Sequence, residues 1–242
     1  MQSSDLSESP ADRRLGALWR PTGRRAFLGW SGVSLAGLLV AGCGGNDDDD
    51  SAETTTTDAA GEGVTLDFAD AFGVLNYAYA LEQLEAAFYT QVVERPFAGA
   101  SSREMNIFKD VKAHEIAHRE FFKAILGDKA IAALTPNFET VDFDDRDSVF
   151  NTALTFENLG VGAYIGAASL IDVSGPLGAT PLMAAGDILA VEARHASVIA
   201  SVMEDNRGGA FAPNAFDEAL APAKVLEAAG PFIKTKISTK NL

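Results

Sequence analysis

The sequence predicts an all-α domain: four long helices in two antiparallel hairpins, a long crossover between the hairpins, and a short helix after them. Three observations carry that expectation. Strand-type alternation is scarce, while Ala, Leu and Glu are common and hydrophobic residues make up 47% of the 242. After Pro21, prolines fall at 96, 136, 176, 181, 213, 222 and 231, leaving three long proline-free windows and most of a fourth. Each window spaces its apolar residues with the period of a helix.

The first helix is expected over about 67–94, with Leu81, Leu84, Phe88 and Val92 on one face. The second should cover about 102–126, starting after Ser101-Ser102 and stopping at Gly127. The third is placed at about 145–172 and the fourth at about 180–206, closed by Gly208-Gly209. A shorter helical piece is expected in the tail, near "FDEALAPAKVLEAAG". Short loops inside each pair imply hairpins. Residues 128–145 between the pairs number 18, and extended they reach about 60 Å. A helix of about 26 residues is only about 39 Å long, so this connection can return along the whole bundle.

The two hairpins repeat one another. At an offset of 75, Asn76, Ala78, Glu82, Leu84 and Tyr89 fall on Asn151, Ala153, Glu157, Leu159 and Tyr164. At an offset of 77, Asp110, Ala113, Glu115 and His118 fall on Asp187, Ala190, Glu192 and His195. The repeat therefore supplies two glutamates and two Glu-x-x-His pairs, and residues three apart share a helix face. Four buried carboxylates are very costly alone. Two divalent cations would balance them, and carboxylates with imidazole suit iron or manganese. Of the three histidines in the chain, two sit at equivalent repeat positions.

"HEIAH", residues 114–118, also matches the helical zinc-protease pattern of His114, Glu115 and His118. A protease needs a third ligand, and the nearest carboxylate downstream at a comparable distance, Glu139, falls in a predicted loop. His114 is then expected on the surface or behind the ligands, about 100° round the helix from Glu115. Tyr89 and Tyr164, seven residues past Glu82 and Glu157, either pack in the core or hydrogen-bond the opposite carboxylate. Glu85 could replace Glu82, but the repeat sets Gly160 opposite it. Asp110 and Asp187 are expected to face solvent, and Phe121, Phe122 and Phe156 to serve the core.

Residues 1–42 carry five Arg against three acids, a charge of +2 (5 − 3), so the remainder of a chain of net −15 sits at −17. A body that acidic does not hold nucleic acid by phosphate neutralisation. "GRRAFLGWSGVSLAGLLVAGCGG" joins Arg24-Arg25 to a modest apolar run and to the lone cysteine, Cys43. It resembles a twin-arginine export signal ending in a lipoprotein box, with Cys43 as the lipidated residue. The apolar run of about 17 residues is shorter than the roughly 20 a membrane span prefers. Residues 43–64, acidic and Thr-rich, read as a disordered tether before the bundle at 65–207 and a tail at 208–242.

The repeat residues carry a second resemblance. The chain is similar to members of the ferritin-like superfamily, in particular extracytoplasmic ferritin-like proteins related to desiccation-associated proteins. "LEQLEAAFY" resembles that group's first helix. The spacings of 33, 42 and 35 along Glu82, Glu115, Glu157 and Glu192 resemble bacterioferritin-type and rubrerythrin-type di-iron proteins. "EARH" resembles the Glu-x-Arg-His of di-iron oxidases, with Val191 where an acid often stands. The resemblance implies that Glu115 and Glu192 bridge two iron or manganese ions, that Glu82 and Glu157 are terminal ligands, and that His118 and His195 each bind one ion. It implies redox chemistry on peroxide, dioxygen or ferrous iron. The alternative is a non-catalytic binding or structural module of the cell envelope. A lipid tether on every subunit argues against a closed iron-storage shell, and a homodimer is easier to accommodate.

Overall fold

The computed structural model describes residues 63–175, 177–203 and 211–242. The expected leader and tether, with Arg24, Arg25 and Cys43, lie outside these residues up to residue 62. Strand β1 (Val64–Asp67) is followed by helices α1 (Ala71–Glu94), α2 (Ser102–Leu126), α3 (Arg146–Ala167), α4 (Thr180–Met203) and α5 (Pro222–Ala229), and then by strand β2 (Ile237–Lys240). Helix α1 packs on α2 and α3 on α4, and the hairpins meet through α1–α3 and α2–α4. This is the predicted bundle.

Local chemistry sets the helix starts. The Asp70 carboxylate accepts from the Phe72 and Gly73 amides, so α1 begins at 71 rather than 67. Ser101 and Glu104 form a capping box at the start of α2. Asp145 caps α3 by accepting from the Ser148 amide. Glu104 also pairs with Arg146 at 2.7 Å, and Arg146 donates to the Val202 carbonyl, so one side chain ties three helix ends together. The third helix ends at Ala167, five residues earlier than expected (172 − 167), in a 3-10 turn over Ala168–Leu170. The predicted end of the fourth helix, with Gly208-Gly209, lies outside the described residues.

The crossover runs along α1. Asn76 binds the Lys129 carbonyl and the Ile131 amide, Gln83 accepts from the Leu134 amide, and Arg95 pairs with Asp144. Between these clamps Phe138 packs on Phe88. In chain order, the connection meets α1 from its first turns to its end.

Two further features differ from expectation. Residues 64–67, at the expected boundary between tether and helix, form β1, which pairs in parallel with β2 from Val64↔Ile237 to Asp67↔Lys240. The tail helix starts only at Pro222, because residues 218–220 lie across α3 instead. There the Leu220 amide donates to the Gly162 carbonyl at 2.9 Å. A Cβ on Gly166 would overlap the Leu220 backbone. Gly166→Ala is therefore expected to lift this segment and cost roughly 1–3 kcal/mol, as overpacking does, measured as a lowered denaturant midpoint. An unchanged midpoint would mean the tail segment contributes nothing there.

Candidate metal centre

The centre lies between two apolar clusters. Along α2, Phe108 and Val111 of the larger cluster precede Glu115, while Phe122 and Leu126 of the smaller one follow it. Along α4 the order reverses: Ala185 and Ile188 precede Glu192, and Ile199 and Val202 follow. Each helix thus carries its polar residues at the same level, with packed hydrocarbon above and below. At that level Glu82, Glu115, Glu157 and Glu192 are all 0% exposed.

The carboxylates converge on the two imidazoles. His118 Nδ1 stands 3.3 Å from an oxygen of Glu82, 3.3 Å from one of Glu115 and 3.0 Å from one of Glu192. His195 Nδ1 stands 3.0 Å from Glu115, 3.2 Å from Glu157 and 3.2 Å from Glu192. Glu115 and Glu192 therefore take part in both groups, and Glu82 and Glu157 in one each. The six residues form two overlapping four-ligand sets, Glu82-Glu115-His118-Glu192 and Glu115-Glu157-Glu192-His195, with donor atoms within 4.8 Å of one another in each set.

A single Nδ1 can donate one proton, so it cannot hydrogen-bond three oxygens. Glu82 Oε2, Glu115 Oε1, Glu157 Oε2 and Glu192 Oε1 are buried without a hydrogen-bond partner. Each of these four oxygens faces an imidazole Nδ1 at 3.0–3.3 Å. Donors bound to one ion at about 2.1 Å and at right angles stand about 3 Å apart. The observed spacing is that of neighbouring ligands, and two divalent ions fit the donor set in charge and in chemistry.

The tyrosines cross-link the halves. The Tyr89 hydroxyl donates to Glu157 Oε1, and the Tyr164 hydroxyl donates to Glu82 Oε1. Of the two alternatives, core packing and a bond to the opposite carboxylate, both tyrosines do both: each is buried. Asp110 and Asp187 are exposed, and Phe122 and Phe156 belong to the core, with Phe121 packed against it.

His114 is not in either four-ligand set. It is exposed, and its Nδ1 lies 2.8 Å from the outward Nε2 of His195. The protease arrangement needs His114 and His118 on one ion, and His114 is turned to a different partner. Sequence reasoning left His114 between a surface and a supporting place; the signal it lacked was α4, which supplies the partner. Glu85 is the other residue beyond the six. It is buried, and its carboxyl fills the space beside Gly160, where an added Cβ would stand 3.4 Å from Glu85 Oε1 and 3.8 Å from Glu192 Cγ.

A family model for the ferritin-like domain matches residues 70–205. The chain belongs to the ferritin-like family. None of the curated proteins compared with the chain matches it. Within this ferritin-like domain the six residues occupy the middle of the bundle, contributed by all four helices.

Burial and the facing charges separate the carboxyls into two kinds. Burial pushes Glu82 up to about 8 and Glu157 well above the usual range. Burial also acts on Glu192, but the facing imidazoles of His118 and His195 outweigh it and hold it down at about 2. Burial disfavours the charged form of His195, yet the facing carboxylates of Glu115, Glu157 and Glu192 raise it to about 12. His118 is raised for the same kind of reason, led among its partners by Glu82. Burial, reinforced by Glu192 and Glu115, pushes Glu85 well up, so it stays a neutral acid.

These shifts set a pH dependence for protein stripped of metal by a chelator. Glu82 is raised from 4.5 to about 8 on folding, so its contribution is complete below 4.5 and lost as pH rises through 8. His195, raised from 6.5 to about 12, loses its contribution over that higher window. Glu192, lowered from 4.5 to about 2, loses its contribution as pH falls between those values. The stripped protein should melt highest near pH 4.5, falling as pH rises from there through 8 and beyond and falling again below it. A melting temperature that climbs from pH 6 to 9 would contradict this charge assignment.

Proposed function

We propose that this ferritin-like domain carries a dinuclear iron or manganese centre and performs redox chemistry on peroxide, dioxygen or ferrous iron. The observation that carries the reading is the convergence of four buried carboxylates, four of whose oxygens have no hydrogen-bond partner, on two imidazoles. Glu115 and Glu192 take part in both sets and would bridge the ions. Glu82 and Glu157 would hold one ion each, beside His118 and His195. Two adjacent one-electron carriers would supply an electron pair to an O–O bond.

The protein's own groups fit that work. Tyr164 and Tyr89 hold one oxygen of each terminal glutamate, leaving the other turned toward an imidazole. This keeps the carboxylates oriented before any ion arrives. Glu85, a neutral acid one helical turn past Glu82 and facing Gly160, is a proton source beside the cluster. A cavity of about 20 Å³ lies against Tyr164, lined by Leu81, Ala163 and Ala185 among others, with Tyr77 and Tyr164 as its only residues bearing polar side-chain atoms. That lining favours a small uncharged reactant.

The wider setting follows from the first residues. We place the domain outside the cytoplasm, anchored by lipidated Cys43 after twin-arginine export, with a homodimer as the assembly. Among the described residues no helix is long and apolar enough to cross a membrane. Export of a folded protein suits one that acquires its metal in the cytoplasm.

Metal analysis of full-length protein from its native host is expected to give about two redox ions per chain, matching two overlapping ligand sets. A content below about one ion per two chains, after aerobic and anaerobic loading, would sink the reading. Loading should also release protons, because His118, His195, Glu82 and Glu157 all hold theirs at neutral pH in the absence of ions. Calorimetry in buffers of different ionisation enthalpy should count about four protons per two ions. Replacing Glu115 and His118 by alanine together should abolish binding and peroxide or dioxygen turnover. Metal uptake by the wild type without turnover would favour the envelope module instead.

A further inference from the structure

We propose that His114 is a positioning residue that makes the two halves of the centre unequal, by holding the outward nitrogen of His195 while His118 lacks an equivalent support. The inference rests on the reading that the cluster holds two divalent ions.

The geometry starts at His195. Its Nδ1 faces Glu115, Glu157 and Glu192. To serve an ion there it must offer a lone pair, so the single proton of the neutral ring sits on Nε2. That Nε2 is 2.8 Å from His114 Nδ1. His195 therefore donates, and His114 accepts and keeps its own proton on Nε2. The two rings are 11° from parallel, with centres 5.1 Å apart. Rings meeting nitrogen to nitrogen in line at 2.8 Å give that separation, so this is an edge-to-edge hydrogen bond rather than a face-to-face stack.

The same support is missing from the other half. Among the described residues none hydrogen-bonds the outward Nε2 of His118; its hydrogen-bond and ion-pair contacts are made by Nδ1. At the repeat offset of 77, His114 falls on Val191, whose side chain cannot accept a proton. Sequence and geometry thus agree on where the duplication has been broken. Outer partners of ligating histidines fix the tautomer, aim the ring and strengthen the ligand, and losing one costs about 10–100-fold in metal affinity. The ion held by His195 with Glu157 therefore binds more tightly than the ion held by His118 with Glu82, and filling proceeds in two steps.

The test titrates chelator-stripped, full-length protein with cobalt(II), followed by visible absorption and by calorimetry. Wild type should fill in two resolved steps. In His114→Ala the tighter step should weaken by about 10–100-fold while the weaker one stays in place. His114→Gln, whose carbonyl can accept the same proton, should restore most of the difference. Equal steps in wild type, or equal weakening of both steps in His114→Ala, would overturn the proposal.

A second measurement needs no metal. In stripped protein labelled with nitrogen-15 at histidine, a coupling across the hydrogen bond should connect His195 Nε2 to His114 Nδ1, and His114→Ala should abolish it. Absence of that coupling in the wild type overturns the proposal whatever the titration gives. If wild type takes up no cobalt while the coupling is present, the dinuclear reading fails and His114 is left holding a histidine with no ion to position.

Discussion

Four carboxylates cannot sit in hydrocarbon unless something cancels their charge, and the remainder of this structure is organised around that constraint. Burying an unpaired charge costs several kcal/mol or more. The cost is avoided in two ways by the same six residues. Without ions, Glu115 and Glu192 face two imidazolium rings while Glu82 and Glu157 hold their protons, so the cluster is neutral. With two divalent ions, all four glutamates ionise against the ions' charge and both rings become neutral. Either form is neutral and so compatible with the apolar layers above and below, and on the dinuclear reading uptake of ions would exchange protons for metal without adding charge to the core.

The frame keeps the distances that make the cancellation work. Every donor sits on a long helix rather than on a loop, and the reciprocal bonds from Tyr89 and Tyr164 lock each hairpin to the opposite glutamate. The crossover clamps α1 through Asn76, Gln83 and Arg95, and Arg146 binds three helix ends at one end of the bundle. Displacing one helix by even a fraction of a turn would separate an imidazole from its three oxygens.

Much of this was legible in the sequence, and the reason is the duplication. A repeat with proline punctuation locates four helices, and coincident Glu and His positions select the residues that face one another. What was not legible depends on pairing between distant parts of the chain. Strands β1 and β2 are four residues each, and neither carries enough pattern to be read as a strand; each exists because the other is beside it. The late start of α5 depends on Gly162 and Gly166, which open a groove on α3 that residues 218–220 fill in place of a longer tail helix. His114 escaped assignment because its partner lies 81 residues away on another helix, and because the repeat, so informative elsewhere, places valine at the matching position.

Two departures from the repeat beside the centre fall on one side. The first hairpin carries Glu85 and His114; the second has Gly160 and Val191 at the matching positions. Gly160 is not simply a lost carboxylate, because a longer side chain there would occupy the space that Glu85 uses. A second ionised acid would also disturb a charge count that closes with four glutamates, whereas Glu85, held neutral by burial and by its acidic neighbours, adds a proton without adding a charge. The exchange of acid for glycine on one hairpin therefore makes room for the acid on the other. A duplicated bundle that began with two equal halves can divide labour in this way: the shared glutamates keep the halves joined, and the unshared positions give each half its own surroundings.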